Sequence, residues 1–277
     1  MSLKNLNVTT KIPKVLNNNL KNKIIDRIYK RFEKRLNISE NFIVAVSGGP
    51  DSLALAFLAK IYSIKKNLIV KFLIVNHKLR PESTKEAKKV QNILKKYSIN
   101  SKILNWVGKK PNKNVQSNAR KKRYELLFAE CDKFKIKNIL LGHHQDDLFE
   151  NFFIRMLRGS GLKGLISLDK ENKMDSKNLL RPLIDEKKED LVFIAYKVFN
   201  FYVEDPSNND ENYLRIQIRK LIADLQKKGL DKKKLGNTIK NLKHSNSVIN
   251  FYVNQNLRGN TFFSKKKKSI DFEKGFL

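Results

Sequence analysis

The sequence predicts an α/β fold, a parallel sheet with helices on both faces, followed by a small helical appendage at the C-terminal end. Three observations predict it. From about residue 40 to 195, short β-rich apolar runs alternate with amphipathic stretches, the order of strands joined by crossover helices. The runs ending at Val46 and Leu141 lead almost directly into glycine. After residue 195 the character changes, with a turn-rich break at Asp205-Pro206-Ser207-Asn208-Asn209 and basic helical sequence beyond it. The expected organisation is a partly helical N-terminal segment (1–38), the α/β domain (39–210) and a basic helical region (211–277).

Each element has its own signal. Phe42 to Val46 is a short β-branched run, read as a buried strand. Ser52 to Ile64 carries Leu53, Leu55, Ala56, Leu58 and Ala59, the content of an apolar helix. Leu68 to Val75 is the second strand. Ser83 with Glu86 three residues on is a capping box that starts the next helix. Ser101 to Trp106 is the third strand and Gln116 to Lys135 a long amphipathic helix. Asn138 to Leu141 is the fourth strand, and Tyr213 to Lys228 a basic amphipathic helix. The run Lys265 to Lys268 reads as a solvated face or tail.

Composition narrows the function. The chain of 277 residues has 58 Lys+Arg against 27 Asp+Glu, a formal charge of +31. Such a charge suits a polyanionic partner, because neutralised phosphates release counterions. Codon bias in an AT-rich genome would also enrich Lys and Asn, so part of the basicity is compositional. One cysteine, Cys131, rules out an internal disulfide or a cluster held by several thiolates. It lies in a helical stretch where a small core residue is expected. No apolar run reaches the length of a membrane-spanning helix, and no signal-peptide core precedes the domain. The expectation is a protein of a reducing bacterial cytoplasm, or of an organelle of bacterial descent.

Two constellations carry chemistry. Ser47-Gly48-Gly49-Pro50-Asp51-Ser52 follows the first strand and precedes the first helix, where ligands of open parallel sheets bind. Paired glycines let backbone N–H groups approach phosphate, the helix directs its positive end there, and Ser47 and Ser52 add hydroxyls. Asp51 would repel bare phosphate, so it belongs beside a Mg²⁺ ion or as an acceptor for backbone N–H. An ordinary strand–helix turn is the alternative. The second constellation, Gly142-His143-His144-Gln145-Asp146-Asp147-Leu148-Phe149-Glu150, follows the fourth strand. A helix starting there stacks His143, Asp147 and Glu150 on one face, and a carboxylate pair beside a triphosphate suits Mg²⁺. A solvated helix N-terminus is the competing reading. No Walker loop is present. Gly159-Ser160-Gly161-Leu162-Lys163-Gly164 spells a dinucleotide fingerprint but follows a helix-like segment, so it is read as a flexible loop.

The first loop resembles the pyrophosphate loop of the N-type ATP pyrophosphatases, which cleave ATP between its α- and β-phosphates. Asn76-His77-Lys78-Leu79-Arg80 and the Gly-His-His-x-Asp-Asp-x-x-Glu segment together are more specific. With Asn118-Ala119-Arg120, Leu180-Arg181-Pro182-Leu183 and the Asp205 turn followed by Tyr213, Arg215 and Arg219, the chain resembles the tRNA(Ile)-lysidine synthetase family over roughly residues 40–220. Two positions depart from its pattern: Asn151, where Thr is usual, and Ile216, where Asn is usual.

The resemblance implies an adenine nucleotide alpha hydrolase-like domain using ATP and Mg²⁺, with L-lysine and tRNA(Ile) bearing a CAU anticodon as substrates and no membrane partner; a homodimer stays open. It implies ATP binding by Ser47, Gly48, Gly49, Pro50, Asp51 and Ser52, and Mg²⁺ ligation by Asp51 and Asp147. It further implies catalytic roles for Asp51, Arg120, His143, Asp147 and Glu150, and tRNA contacts from Arg181, Arg215 and Arg219. Thiolating enzymes share the loop but need two or more cysteines or a sulfur carrier, and the single cysteine here, in an expected core position, argues against that chemistry.

Overall fold

The computed structural model describes residues 12–108, 113–204, 213–264 and 269–272. The expected turn at Asp205–Asn209 and the Lys265–Lys268 run lie outside the described residues. The elements, in chain order, begin with α1 (Lys14–Leu20), α2 (Lys23–Leu36), β1 (Phe42–Val46), α3 (Pro50–Lys65), β2 (Val70–Asn76) and α4 (Ser83–Lys96). Then come β3 (Ser101–Asn105), α5 (Val115–Phe134), β4 (Asn138–Leu140), α6 (Gln145–Leu157) and α7 (Leu162–Leu165). The last are β5 (Glu171–Met174), β6 (Lys177–Leu180), α8 (Lys188–Phe199), α9 (Leu214–Lys227), α10 (Lys232–Asn260), β7 (Thr261–Ser264) and β8 (Ser269–Phe272).

The chain forms two compact units, one of Met1–Leu148 with Asp169–Asp210, the other of Phe149–Leu168 with Glu211–Leu277. In the first unit, six strands lie in the order β3-β2-β1-β4-β6-β5. All neighbours are parallel except β5, which pairs antiparallel with β6 at the edge. The strand order runs outward in opposite directions from β1 and β4, so the crevice where such sheets bind ligands opens at the carboxyl ends of those two strands.

Side-chain alternation along the strands divides the core into two layers. Phe42, Val44 and Val46 of β1, with Phe72 and Ile74 of β2, pack with α1, α2, α3, α4 and α8. Ile43, Leu73, Leu104, Ile139 and Leu179 face the other way and pack with Tyr124, Leu127 and Cys131 of α5. Helices therefore cover both faces, as predicted. α3 is buried on nearly every side, from Ser52 through Ala59 and from Ile61 through Ile64. A helix so enclosed gives the residues at its N-terminus a rigid mount.

α2 of the N-terminal segment belongs to this core, and it is clamped. Arg31 and Arg35 both bond the carboxylate of Glu186, which is 1% exposed. Some details differ from the sequence reading. α4 begins at Ser83 with Glu82 as its cap, and no capping box forms: Glu86 pairs with Arg80 at 3.0 Å instead, and the Ser83 hydroxyl donates to the Arg80 carbonyl. The hairpin of β5 and β6 has no counterpart in the sequence reading. Its turn puts Asp175 and Ser176 at positive φ, which two-residue hairpin turns need.

In the second unit, the stretch read as a flexible loop is ordered. Gly159 closes α6 at φ +66°, with Ser160 N–H donating to the Arg155 carbonyl, and Gly161 caps α7. Ile216, where the resemblance expected Asn, is a buried residue of α9. Asn151 donates to the Ser167 hydroxyl at 3.2 Å.

Candidate active site

The turn from β1 into α3 is built around one hydroxyl. Ser52 Oγ accepts from the N–H of Ser47 and of Gly48, both at 3.1 Å, and donates to the Gly49 carbonyl at 2.9 Å. Ser47 Oγ lies 3.2 Å from it. Ser52 thus knots the loop from within, and the Gly48 N–H, expected to meet phosphate, is committed to that knot. Gly48 sits at φ +92°, where a Cβ would come within 2.6 Å of Val90 Cγ2 and 3.1 Å of Val203 Cγ2. Its carbonyl accepts from Val203 N–H at 2.9 Å. Gly48→Ala is therefore expected to cost about 2–4 kcal/mol, from the left-handed backbone and the overpacking. Denaturant unfolding checks it; a loss below 1 kcal/mol would mean that the loop relaxes freely.

At the end of β4, Gly142 comes close to the same turn. A Cβ there would lie 3.2 Å from the Asp51 carbonyl carbon and the Ser52 nitrogen. A cavity of 310 Å³ opens at these strand ends, lined among others by Ser47, Asp51, Asn76, His77, Arg123 and His143. Pro50 opens α3 as its first residue, where its fixed φ suits the helix and its missing N–H costs nothing.

α6 starts at Gln145, so His144 is its cap. The His144 N–H donates to Asp147 Oδ2 at 3.0 Å, and His144 Nδ1 accepts from the Asp146 N–H at 3.2 Å. That reciprocal pair is a capping box in which imidazole replaces the usual hydroxyl. An Nδ1 that accepts leaves the proton of a neutral ring on Nε2. Nε2 faces Asp51 Oδ2 at 3.7 Å and Asp147 Oδ2 at 3.5 Å. The two carboxylates expected to act together therefore converge on one imidazole nitrogen, itself 5% exposed as a residue. Asp51 has a second partner: Lys188 Nζ, from the first residue of α8, donates to both its oxygens at 2.8 and 2.6 Å.

The donor set suits a hard divalent cation. Two carboxylates present oxygens in one place, and the ammonium bridging Asp51 marks a spot that already favours positive charge. Among the described residues no group of three or more His, Cys, Asp or Glu could hold a metal.

The remaining predicted residues lie elsewhere. Arg120 is exposed on α5, its guanidinium 5.2 Å from the Tyr124 ring centre, and does not line the cavity; Arg123, one turn on, does. Arg181 is 3% exposed and donates to the Asp169 carbonyl at 2.8 Å and to Asn172 Oδ1 at 2.6 Å. Burial lowers its pKa from the usual guanidinium value. In this arrangement it faces the protein rather than a polyanion. In the second unit, Glu150 is 2% exposed and takes the Nε of Arg215 and of Arg219, each at 2.5 Å. Sequence reasoning missed His144 and Lys188. The first was legible as the second histidine of the pair once the helix start is known; the second has no local signal.

A family profile described as the PP-loop domain matches residues 18–225. The chain is 41% identical over 182 residues to the tRNA(Ile)-lysidine synthase of Orientia tsutsugamushi (strain Boryong), covering 66% of this chain and 41% of that protein. It is 31% identical over 222 residues to the tRNA(Ile)-lysidine synthase of Bradyrhizobium diazoefficiens, covering 79% of this chain and 62% of that one. The chain thus spans about half the length of the curated relatives it matches. Among solved structures, a U34-tRNA thiolase from Methanococcus maripaludis superposes with a TM-score of 0.67 over 80% of this chain and 78% of its own, at 17% identity, which supports the α/β fold alone.

Proposed function

As the chain belongs to the PP-loop family, we propose that it joins L-lysine to C2 of the wobble cytidine in the CAU anticodon of tRNA(Ile), converting ATP to AMP and pyrophosphate. The product would read AUA in place of AUG and carry isoleucine identity. The observation behind the ATP half is the convergence of Asp51 and Asp147 on His144 beside the Ser47–Ser52 turn. The substrate half rests on the relatives' names.

In the first step the cytidine O2 attacks the α-phosphorus. An O2–P bond forms, the bond to the bridging α,β-oxygen breaks, and pyrophosphate leaves. The protein's part is in-line placement and charge neutralisation. The adenosine would occupy the cavity lined by Asn76, His77 and Arg123, and the phosphates would lie along Ser47, Gly49 and the N-terminus of α3. Mg²⁺, held by Asp51 and Asp147, would offset the charge of the phosphates. His144 would orient Asp147 through its backbone N–H, and its Nε2 lies between the two carboxylates. Arg120, exposed on α5 outside the cavity lining, would have to turn inward to meet phosphate charge.

In the second step the lysine ε-amine attacks C2, a C–N bond forms, and AMP departs with the former O2. Free lysine is cationic at neutral pH, with a reference pKa of about 10.4, so an acceptor must take its proton. His143 at the cavity, or Glu150, is assigned that task. Arg215 and Arg219 would trade Glu150 for the tRNA backbone, while splayed anticodon bases are read on their edges. Arg215→Ala is expected to weaken tRNA binding several-fold and to make its salt dependence shallower by about one unit of slope. An unchanged affinity and slope would assign that guanidinium to Glu150 alone.

Sulfur transfer, the competing use of this scaffold, finds no support in Cys131. It is buried, and burial pushes its thiol up to about 11, so it offers no thiolate. The direct test is mass spectrometry of anticodon nucleosides after incubation with tRNA(Ile)(CAU), ATP and lysine. A mass gain of one lysyl residue at the wobble cytidine is expected. AMP release that proceeds equally without tRNA would instead indicate a small adenylated substrate.

A further inference from the structure

The loop that should hold the phosphates is short of free donors. Two of its N–H groups, those of Ser47 and Gly48, are spent on the Ser52 hydroxyl. An ATP tail carries close to four negative charges, so a cation has to come from outside the loop. Lys188 is already there. It lies 137 residues from Asp51 in sequence, yet its ammonium bonds both Asp51 oxygens. It is the first residue of α8, and Asp51 is the second of α3, so two helix N-termini direct partial positive charge at one carboxylate. Its side chain is 35% exposed, which leaves the flexible stem room to turn.

These contacts create a conflict. While Lys188 occupies both oxygens, Asp51 is a poorer ligand for a metal ion, and while Asp51 holds Lys188, the ammonium is less available to phosphate. Arrival of a metal–nucleotide complex resolves both at once. We propose that Lys188 is the resident counter-ion of Asp51 in the nucleotide-free protein and moves from that carboxylate to the β,γ-phosphates, the future pyrophosphate, when ATP binds. The inference rests on the ATP-cleaving reading above and assigns to that site a residue outside its loop. Lys188 then has two opposed effects. It competes with a divalent cation for Asp51 when no nucleotide is present, and it supports binding once a pyrophosphate group is.

Those effects can be separated without tRNA or lysine, so a wrong RNA substrate would leave the result untouched. The full chain is compared as wild type, Lys188→Ala, Lys188→Gln and Lys188→Arg. Calorimetry measures inorganic pyrophosphate binding with Mg²⁺, and electron paramagnetic resonance measures Mn²⁺ binding alone. The Ala and Gln variants are expected to lose pyrophosphate affinity tenfold or more and to gain Mn²⁺ affinity several-fold. Lys188→Arg should recover most of the pyrophosphate affinity. A merely structural lysine would not move the two affinities in opposite directions. Pyrophosphate affinity within twofold of wild type in both neutral variants, or Mn²⁺ affinity that stays level or falls, overturns the proposal. Wild-type protein that binds no pyrophosphate overturns it together with the ATP reading.

Discussion

Asp51→Asn is expected to lower tRNA-dependent AMP formation by about 10²–10³-fold, the scale on which removing one preorganised charge-stabilising group acts. The fold should survive. Asn keeps the shape of the side chain, and Asp51, with its side chain 22% exposed, is outside the hydrophobic core. Its partner Lys188 reaches solvent, so the lost ion pair should cost no more than about 1 kcal/mol. Asp147→Asn should reduce the same rate while also weakening the cap of α6, because the neutral amide accepts less strongly from the His144 N–H. Single-turnover assays on both variants, with circular dichroism as the folding control, separate the two. Wild-type turnover in Asp51→Asn would remove that carboxylate from the chemistry.

Glu186→Ala should have the largest effect on stability. Burial alone would push the Glu186 carboxyl up, but the hydrogen bonds and charges of Arg31 and Arg35 outweigh it and hold the carboxyl below its ordinary value of 4.5. Removing it leaves two guanidiniums of α2 without their shared anion, with only Asp190 and Asp185 near them, and the loss costs about 3 kcal/mol. The sign with pH follows from the lowered pKa. The stabilisation is present in full above 4.5 and is lost as pH falls through the depressed folded value. Denaturation of the wild type should therefore lose stability below pH 4.5 in a component that Glu186→Gln lacks. Parallel curves for the two proteins would show that the clamp contributes little. The same residue ties the site together, since its carbonyl accepts from the Gln145 N–H at the start of α6, and α8 with Lys188 begins two residues later.

Much of this arrangement is legible in the chain itself. The parallel sheet follows from apolar runs alternating with helical patterns. The Ser47–Ser52 turn is recognisable because glycines, a serine and a helix start cluster after a buried strand. What escapes notice has physical reasons. His143 and His144 are adjacent, and a shift of one residue in where α6 begins decides which caps the helix and faces both aspartates. Lys188 is one cation among 58 Lys+Arg, and its pairing with Asp51 exists only after the crossover brings α8 against α3. The Arg31, Arg35 and Glu186 clamp spans more than 150 residues, beyond any local pattern. Ser83 and Glu86 show the opposite failure, a sound local motif overridden when Arg80 captured the glutamate. The hairpin of β5 and β6 hid because Glu171 to Met174 is polar and partly exposed, so it lacks the apolar alternation that marks a strand.

If the α-phosphorus of ATP is captured by the cytidine O2 before lysine attacks, that oxygen leaves with AMP. Labelling that oxygen of the wobble cytidine with 18O tests it most directly. One 18O atom is expected in each AMP released, with pyrophosphate and modified tRNA unlabelled. AMP free of label, with the 18O retained in the tRNA, would contradict it.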